Sequence, residues 1–180
     1  MGALDQIVRS GKALYAGISN YYDAEQARTA IRTLRELGTP MLIHQPRYSM
    51  MSRAAENGLF DVLREEGVGC IAFAPLASGI LTEKYLNGIP EDSRAARDPR
   101  YLKASAITEE TIAKVRRLNE IALRRGESMA QMALQWVLRE PVVTTALIGA
   151  SRPEQVEENV RALSFPSLSQ EELAEIETVL

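Results

Sequence analysis

The strongest constraint on this chain is an alternation: a short apolar run, then an amphipathic helical segment, four times over. The apolar runs are residues 13–18, 41–45, 69–74 and 142–148. Between them the helical segments carry start and stop signals. Asp23 with Gln26 forms a capping box ahead of Ala27, Ile31, Leu34 and Leu37, and Gly38 stands where a left-handed C-terminal residue belongs. Leu59, Val62 and Leu63 mark the next helix, which stops at Gly67. Thr108 opens a helix with Ile112, Val115, Leu118 and Ala122 on one face, ending at Gly126. Ser128 with Gln131 is a second box, before Met132 and Trp136, and that helix ends before Pro141. Ser151 caps the helix after the fourth run, and Ser169 with Glu172 caps a last one. Such alternation implies parallel strands joined by right-handed crossovers. The near-continuous apolarity of the runs predicts strands covered on both faces.

Composition narrows the function classes. The 180 residues suit one domain with a real core, and 46% hydrophobic with 25% charged residues excludes a disordered chain. One cysteine and one histidine cannot supply four ligands to a structural zinc, so no metal is expected. A net charge of −3 argues against nucleic acid as a partner. The longest uncharged run, residues 67–82, is shorter than the ~20 residues a bilayer span needs, so no membrane is expected either. The start lacks a basic segment followed by an apolar one, and a reduced, cytoplasmic protein is expected.

Several catalytic patterns are absent. There is no Walker A loop. Residues 67–72 match G-x-G-x-x-A, but these glycines precede a strand and read as a helix cap and a turn. His44 has no acidic residue within three positions, which gives a Ser-His-acid triad no local support. The positive signals follow the strands, on the face where parallel α/β barrels bind ligands. Ser19 and Asn20 offer a hydroxyl and an amide, Gln45 a second amide, and Phe73 a flat apolar face. The loop from Pro75 through Leu76 and Ser78 to Leu81 offers backbone N–H groups, with Lys84 close behind. After the fourth strand, Gly149, Ser151 and Arg152 run into a helix N-terminus, which favours an anion. Singly, each has a duller reading as cap, core or solvated charge. Together they have the parts to hold a nicotinamide dinucleotide. The polar loop 87–106, with Pro90, Pro99 and several arginines, reads as mobile or as a cover.

At these residues the sequence resembles the aldo-keto reductases. The carrying segments are residues 17–21, 45–49, 73–79, 81–85 and 147–151, with Gln155, Glu158 and Asn159. Each is short, while their order and spacing together are specific. The resemblance covers nearly the whole chain and matches the C-terminal half of a (β/α)8 barrel, so residues 1–180 are expected to be one partial α/β domain. It implies NADP(H) as cofactor and a small-molecule carbonyl compound as substrate. Ser19, Asn20 and Gln45 would hold the nicotinamide carboxamide, and Phe73 would stack on the ring. The Pro75–Leu81 loop, Lys84 and Arg94 would clamp the pyrophosphate. Gly149, Ser151, Arg152, Gln155, Glu158 and Asn159 would hold the adenosine end. Many members carry an arginine where Gln155 stands, so the choice between NADPH and NADH stays open.

The family's proton donor is a tyrosine helped by lysine, aspartate and histidine on the first four strands. None of these strands is in the sequence, and Tyr21, Tyr22, Tyr48 and Lys84 do not match those positions. No catalytic residue is therefore assigned. Leu4, Ile7 and Val8 resemble the tail of the fourth barrel helix, so a chain started at an internal methionine is expected. For these 180 residues alone the expectation is very low reductase activity, weak cofactor binding, and self-association or pairing with an N-terminal half. The alternatives are a non-catalytic nucleotide-binding module and a half-barrel that binds another phosphate ligand.

Overall fold

The apolar runs align as a four-stranded parallel sheet in the order β1-β2-β3-β4. The computed structural model describes residues 1–98, 100 and 102–180, Arg94 without its side chain. In chain order the elements are α1 (Gly2–Arg9), β1 (Ala16–Ser19), α2 (Ala24–Glu36), β2 (Met41–Gln45), α3 (Leu59–Glu66), β3 (Gly69–Phe73), α4 (Arg94–Arg97), α5 (Glu109–Arg124), α6 (Met129–Leu138), β4 (Val143–Leu147), α7 (Pro153–Val160) and α8 (Gln170–Val179). Short 3-10 turns fill the connections, at Ala77–Gly79 and Glu83–Tyr85 among others.

Helix ends follow the local chemistry. Asp23 accepts from the Gln26 N–H, and Thr108 from the Thr111 N–H. The Ser128–Gln131 and Ser169–Glu172 boxes are both formed in full. Gly38 and Gly67 hold left-handed φ values of 89° and 67°. The expected cap at Ser151 does not form: Arg152 is the N-cap of α7 and Pro153 its first residue.

The core lies on one side of the sheet. Ala16, His44, Cys70 and Ala72 from the strands meet Ile31, Leu34, Leu63, Val115, Met132 and Trp136 from the helices. Burying a Leu or Ile here contributes roughly 1.5–3 kcal/mol each. The opposite face is open, which corrects the expectation of strands covered twice. Leu147, the register partner of Phe73, is about half exposed there. Gly17 on that face lies so close to β2 that an added Cβ would stand 2.7 Å from the Ile43 carbonyl oxygen.

The first strand begins later than its apolar run suggests. Leu14 and Tyr15 are largely exposed and precede β1. The physical reason is that β1 is an edge strand, paired only with β2, so nothing draws residues 13–15 into the sheet. β3 likewise ends at Phe73, and Ala74 turns out of it with φ 52°. The polar loop is docked through buried Ser93, Ala95 and Leu102; Pro99 lies outside the described residues. No helix among the described residues is long and apolar enough to cross a membrane.

Candidate functional site

Parallel strands end on a common edge, so the four β-to-α connections form one rim. Register sets Ser19 beside Gln45, and Phe73 beside Leu147. The two-residue strand period puts Ser19, Gln45 and Phe73 on the open face, opposite the buried His44, Cys70 and Ala72. The Ser19 hydroxyl donates to the Gln45 carbonyl at 2.7 Å, which leaves its oxygen as an acceptor. Asn20 follows, exposed, with φ 63°. Phe73 is half-buried, and the β2–β3 pairing runs on beneath it: its N–H donates to the Pro46 carbonyl, and its carbonyl accepts from Tyr48.

Backbone strain gathers on this rim. Among the described residues the non-glycine positions with left-handed φ are Asn20 (63°), Ala74 (52°), Ala77 (47°) and Ser78 (60°). All four follow β1 or β3; at the two alanines and the serine each costs roughly 1–2 kcal/mol, while an asparagine takes this region more readily. Strain of this kind concentrates at ligand clamps, where the surrounding structure can hold it.

The loop after β3 is tighter than its sequence suggests. Pro75 and Leu81 are buried, and Leu76 and Ser78 half-buried. The N–H groups of Ala77, Gly79, Ile80 and Leu81 donate to carbonyls of the same loop, which narrows the cradle they could offer. Lys84 is exposed, with its Nζ 3.9 Å from Asp92. Arg94 opens α4, and its side chain lies outside the described residues.

The last part of the rim is the turn from β4 into α7. Gly149 is exposed in open space, and Arg152 is exposed at the helix N-cap. The Ser151 N–H and hydroxyl both donate to Gln155 Oε1, at 2.8 and 3.1 Å. Glu158 and Asn159 are half-buried one turn on. The Glu158 carbonyl accepts from Gln131 Nε2 at 2.9 Å, which ties α7 to α6. Sequence reasoning missed Gln131 in this second role because its partner lies 27 positions away.

The remaining reactive groups sit elsewhere. His44 is fully buried on the helix side, and burial pushes its pKa down to about 4; the Tyr21 backbone offsets this only in part. Neither of its ring nitrogens makes a hydrogen bond of normal geometry. Burial pushes the Cys70 thiol up to about 12, which makes it a poor nucleophile. The buried Tyr48 hydroxyl donates to Glu56 at 2.7 Å and accepts from Arg139 at 3.0 Å, out of reach of the rim. Among the described residues no three His, Cys, Asp or Glu side chains gather as a metal ion would require.

Comparison with known proteins agrees with this fold. The model of the aldo/keto reductase family matches residues 1–180, and the chain belongs to that family. It is 52% identical over 179 residues to L-glyceraldehyde 3-phosphate reductase of Escherichia coli K12, covering 97% of this chain and 51% of that protein. It is 37% identical over 185 residues to a putative voltage-gated potassium channel subunit beta of Schizosaccharomyces pombe, covering 99% of this chain and 53% of that protein. Among solved structures, a glycerol dehydrogenase from Gluconobacter oxydans superposes with a TM-score of 0.76 at 27% identity, over 98% of this chain and 52% of its own. The chain thus spans about half the length of these relatives, and its four βα units correspond to half of a (β/α)8 barrel.

Proposed function

We propose that this chain is the cofactor-holding half of an NADP(H)-dependent aldo-keto reductase, which reduces an aldehyde or ketone when the barrel is complete. The observation that carries the reading is the order of groups along the rim. Amides and a hydroxyl stand at β1 and β2, an aromatic face at β3, a tight loop with Lys84 after it, and an open helix N-terminus after β4. Three inter-strand spacings of about 4.8 Å make this about 14 Å long, the scale of an extended dinucleotide. The strained φ values at both ends of the β1–β3 stretch support a rim shaped for a ligand.

In this reading Ser19, Asn20 and Gln45 orient the carboxamide, and Phe73 closes one side of the ring. Lys84 offsets the charge of the pyrophosphate, which lies along the Pro75–Leu81 loop. Arg152, at the mouth of α7, meets the adenosine phosphate, while Gly149 leaves room beside it. The cofactor, when bound, supplies a hydride for the carbonyl carbon. In this reading the proton for the developing alkoxide comes from the other half of the barrel, since among the described rim residues the Tyr22 hydroxyl is engaged by Asn20 and Arg47, and Lys84 lies beside Asp92. The open sheet face is proposed to meet the other half of the barrel, or a second copy when this polypeptide is alone. A cytoplasmic setting belongs to the same proposal.

The test is a chimera in which the first half of the Escherichia coli relative precedes this chain. Aldehyde-dependent oxidation of NADPH is expected. Tight NADPH binding without turnover would favour the non-catalytic reading that the channel-subunit relative suggests. Binding of a sugar phosphate in place of NADPH would overturn both.

A further inference from the structure

We infer that Tyr22 is a positioning residue for the nicotinamide carboxamide, acting through Asn20; the inference rests on the cofactor reading above. Tyr22 is half-buried, its ring packed against the core, so its hydroxyl is delivered to the rim on a rigid arm. That hydroxyl accepts the Arg47 backbone N–H at 2.8 Å and lies 3.3 Å from Asn20 Oδ1. A phenol has one proton. With a lone pair taken by Arg47, the proton is free to go to Oδ1, the acceptor that faces it.

Two consequences follow from this pair of bonds. The first is polarity. With Oδ1 engaged by Tyr22, Asn20 presents its NH2 outward as a donor to a carbonyl oxygen, while Ser19, whose proton is spent on the Gln45 carbonyl, presents an acceptor. A carboxamide needs this complement: a donor for its oxygen and an acceptor for its NH2. The second is spacing. Arg47 is bridged to Phe73 across the β2–β3 pairing. One hydroxyl therefore links the Asn20 amide to the backbone that carries the stacking ring. It also braces the left-handed turn at Asn20, which an asparagine holds only at some cost.

The test compares the 180-residue chain with its Tyr22→Phe variant by NMR titration. One ligand is NADP+, and the other is 2′-phospho-ADP-ribose, which lacks the nicotinamide. The expected result is a loss of about three- to tenfold in NADP+ affinity, with 2′-phospho-ADP-ribose affinity within about twofold. In the free variant the Asn20 side-chain NH2 signals should also shift or broaden as the amide begins to turn about its Cβ–Cγ bond. Equal weakening of both ligands would reduce Tyr22 to a structural prop and overturn the inference. An unchanged NADP+ affinity would overturn it as well. If the parent chain binds neither ligand, the cofactor reading itself fails and takes this assignment with it; if it binds both, only the Tyr22 step is in question.

Discussion

His44 lies in register between Ile18 and Cys70, on the side of the sheet that the helices cover. Burial holds its folded-state pKa near 4, against 6.5 when free. Between those values the unfolded chain binds a proton that the folded chain refuses, so stability falls as pH drops from about 6.5 to about 4 and levels off below. The difference is worth on the order of 3 kcal/mol. The carboxyls of Asp5, Glu66 and Glu172 are held below their ordinary values of 3.8 and 4.5, so their contributions are lost only at lower pH. Urea midpoints at pH 7 and pH 5 should therefore differ in the parent chain and converge in His44→Gln; a parent midpoint that stays flat contradicts this. At this scale the sequence was legible where a residue's position depends on the end of a strand, as with Ser19, Asn20 and Gln45, which the structure brings together at the ends of β1 and β2. It was not legible where a role depends on a distant partner. The role proposed for Tyr22 depends on the bond its hydroxyl accepts from the Arg47 N–H, 25 positions on, and no local pattern announces that bond. Nor does any local pattern reveal that Ala74, Ala77 and Ser78 take left-handed φ, because loop closure imposes it.

Among the elements, α6 shows how a local signal and a long-range contact share one side chain. Its residues are buried nearly all round, from Met129 to Val137. Gln131 closes the capping box by accepting the Ser128 N–H at 2.9 Å, and it donates to the Glu158 carbonyl of α7 at 2.9 Å. Ser128→Ala should cost about 1 kcal/mol, the usual loss of a cap. Gln131→Ala should cost about 2 kcal/mol or more, since it strands both a buried N–H and a carbonyl. Urea unfolding of the two variants checks the ranking, and equal costs would mean that the α6–α7 bond contributes nothing. The box was legible because both of its residues are local. The strand ends were less so. Residues 13–15 read as strand by apolarity, yet Leu14 and Tyr15 stand exposed beside an edge that pairs on one side only. Ser151 read as a cap by residue type, but Pro153 starts α7 one residue later and leaves Ser151 to bond Gln155.

The molecule as a whole has one covered and one open sheet face, and its two edge strands each lack a neighbour on one side. Val156, Val160 and Leu163 form an exposed apolar stripe along α7 and the turn after it, while Leu14 and Tyr15 stand exposed just before β1. Exposed edges and apolar faces drive association. The isolated chain should therefore run above 19.9 kDa in light scattering at micromolar concentration, and Val160→Glu should shift it toward monomer. A monomeric parent at high concentration contradicts this. The alternation of runs and helices revealed the parallel α/β plan, but the uncovered face was invisible to it, since apolar runs do not say which of their faces finds cover within the same chain. The most direct test of the central claim is to titrate NADPH into the 180-residue chain and map the backbone amide shifts. The account predicts changes confined to the rim, at Asn20, Gln45, Phe73, residues 76–79 and residues 149–155, even if saturation needs millimolar ligand. No shifts at that concentration, or shifts gathered instead in the hollow lined by Arg124, Arg125 and Ser169, would contradict it.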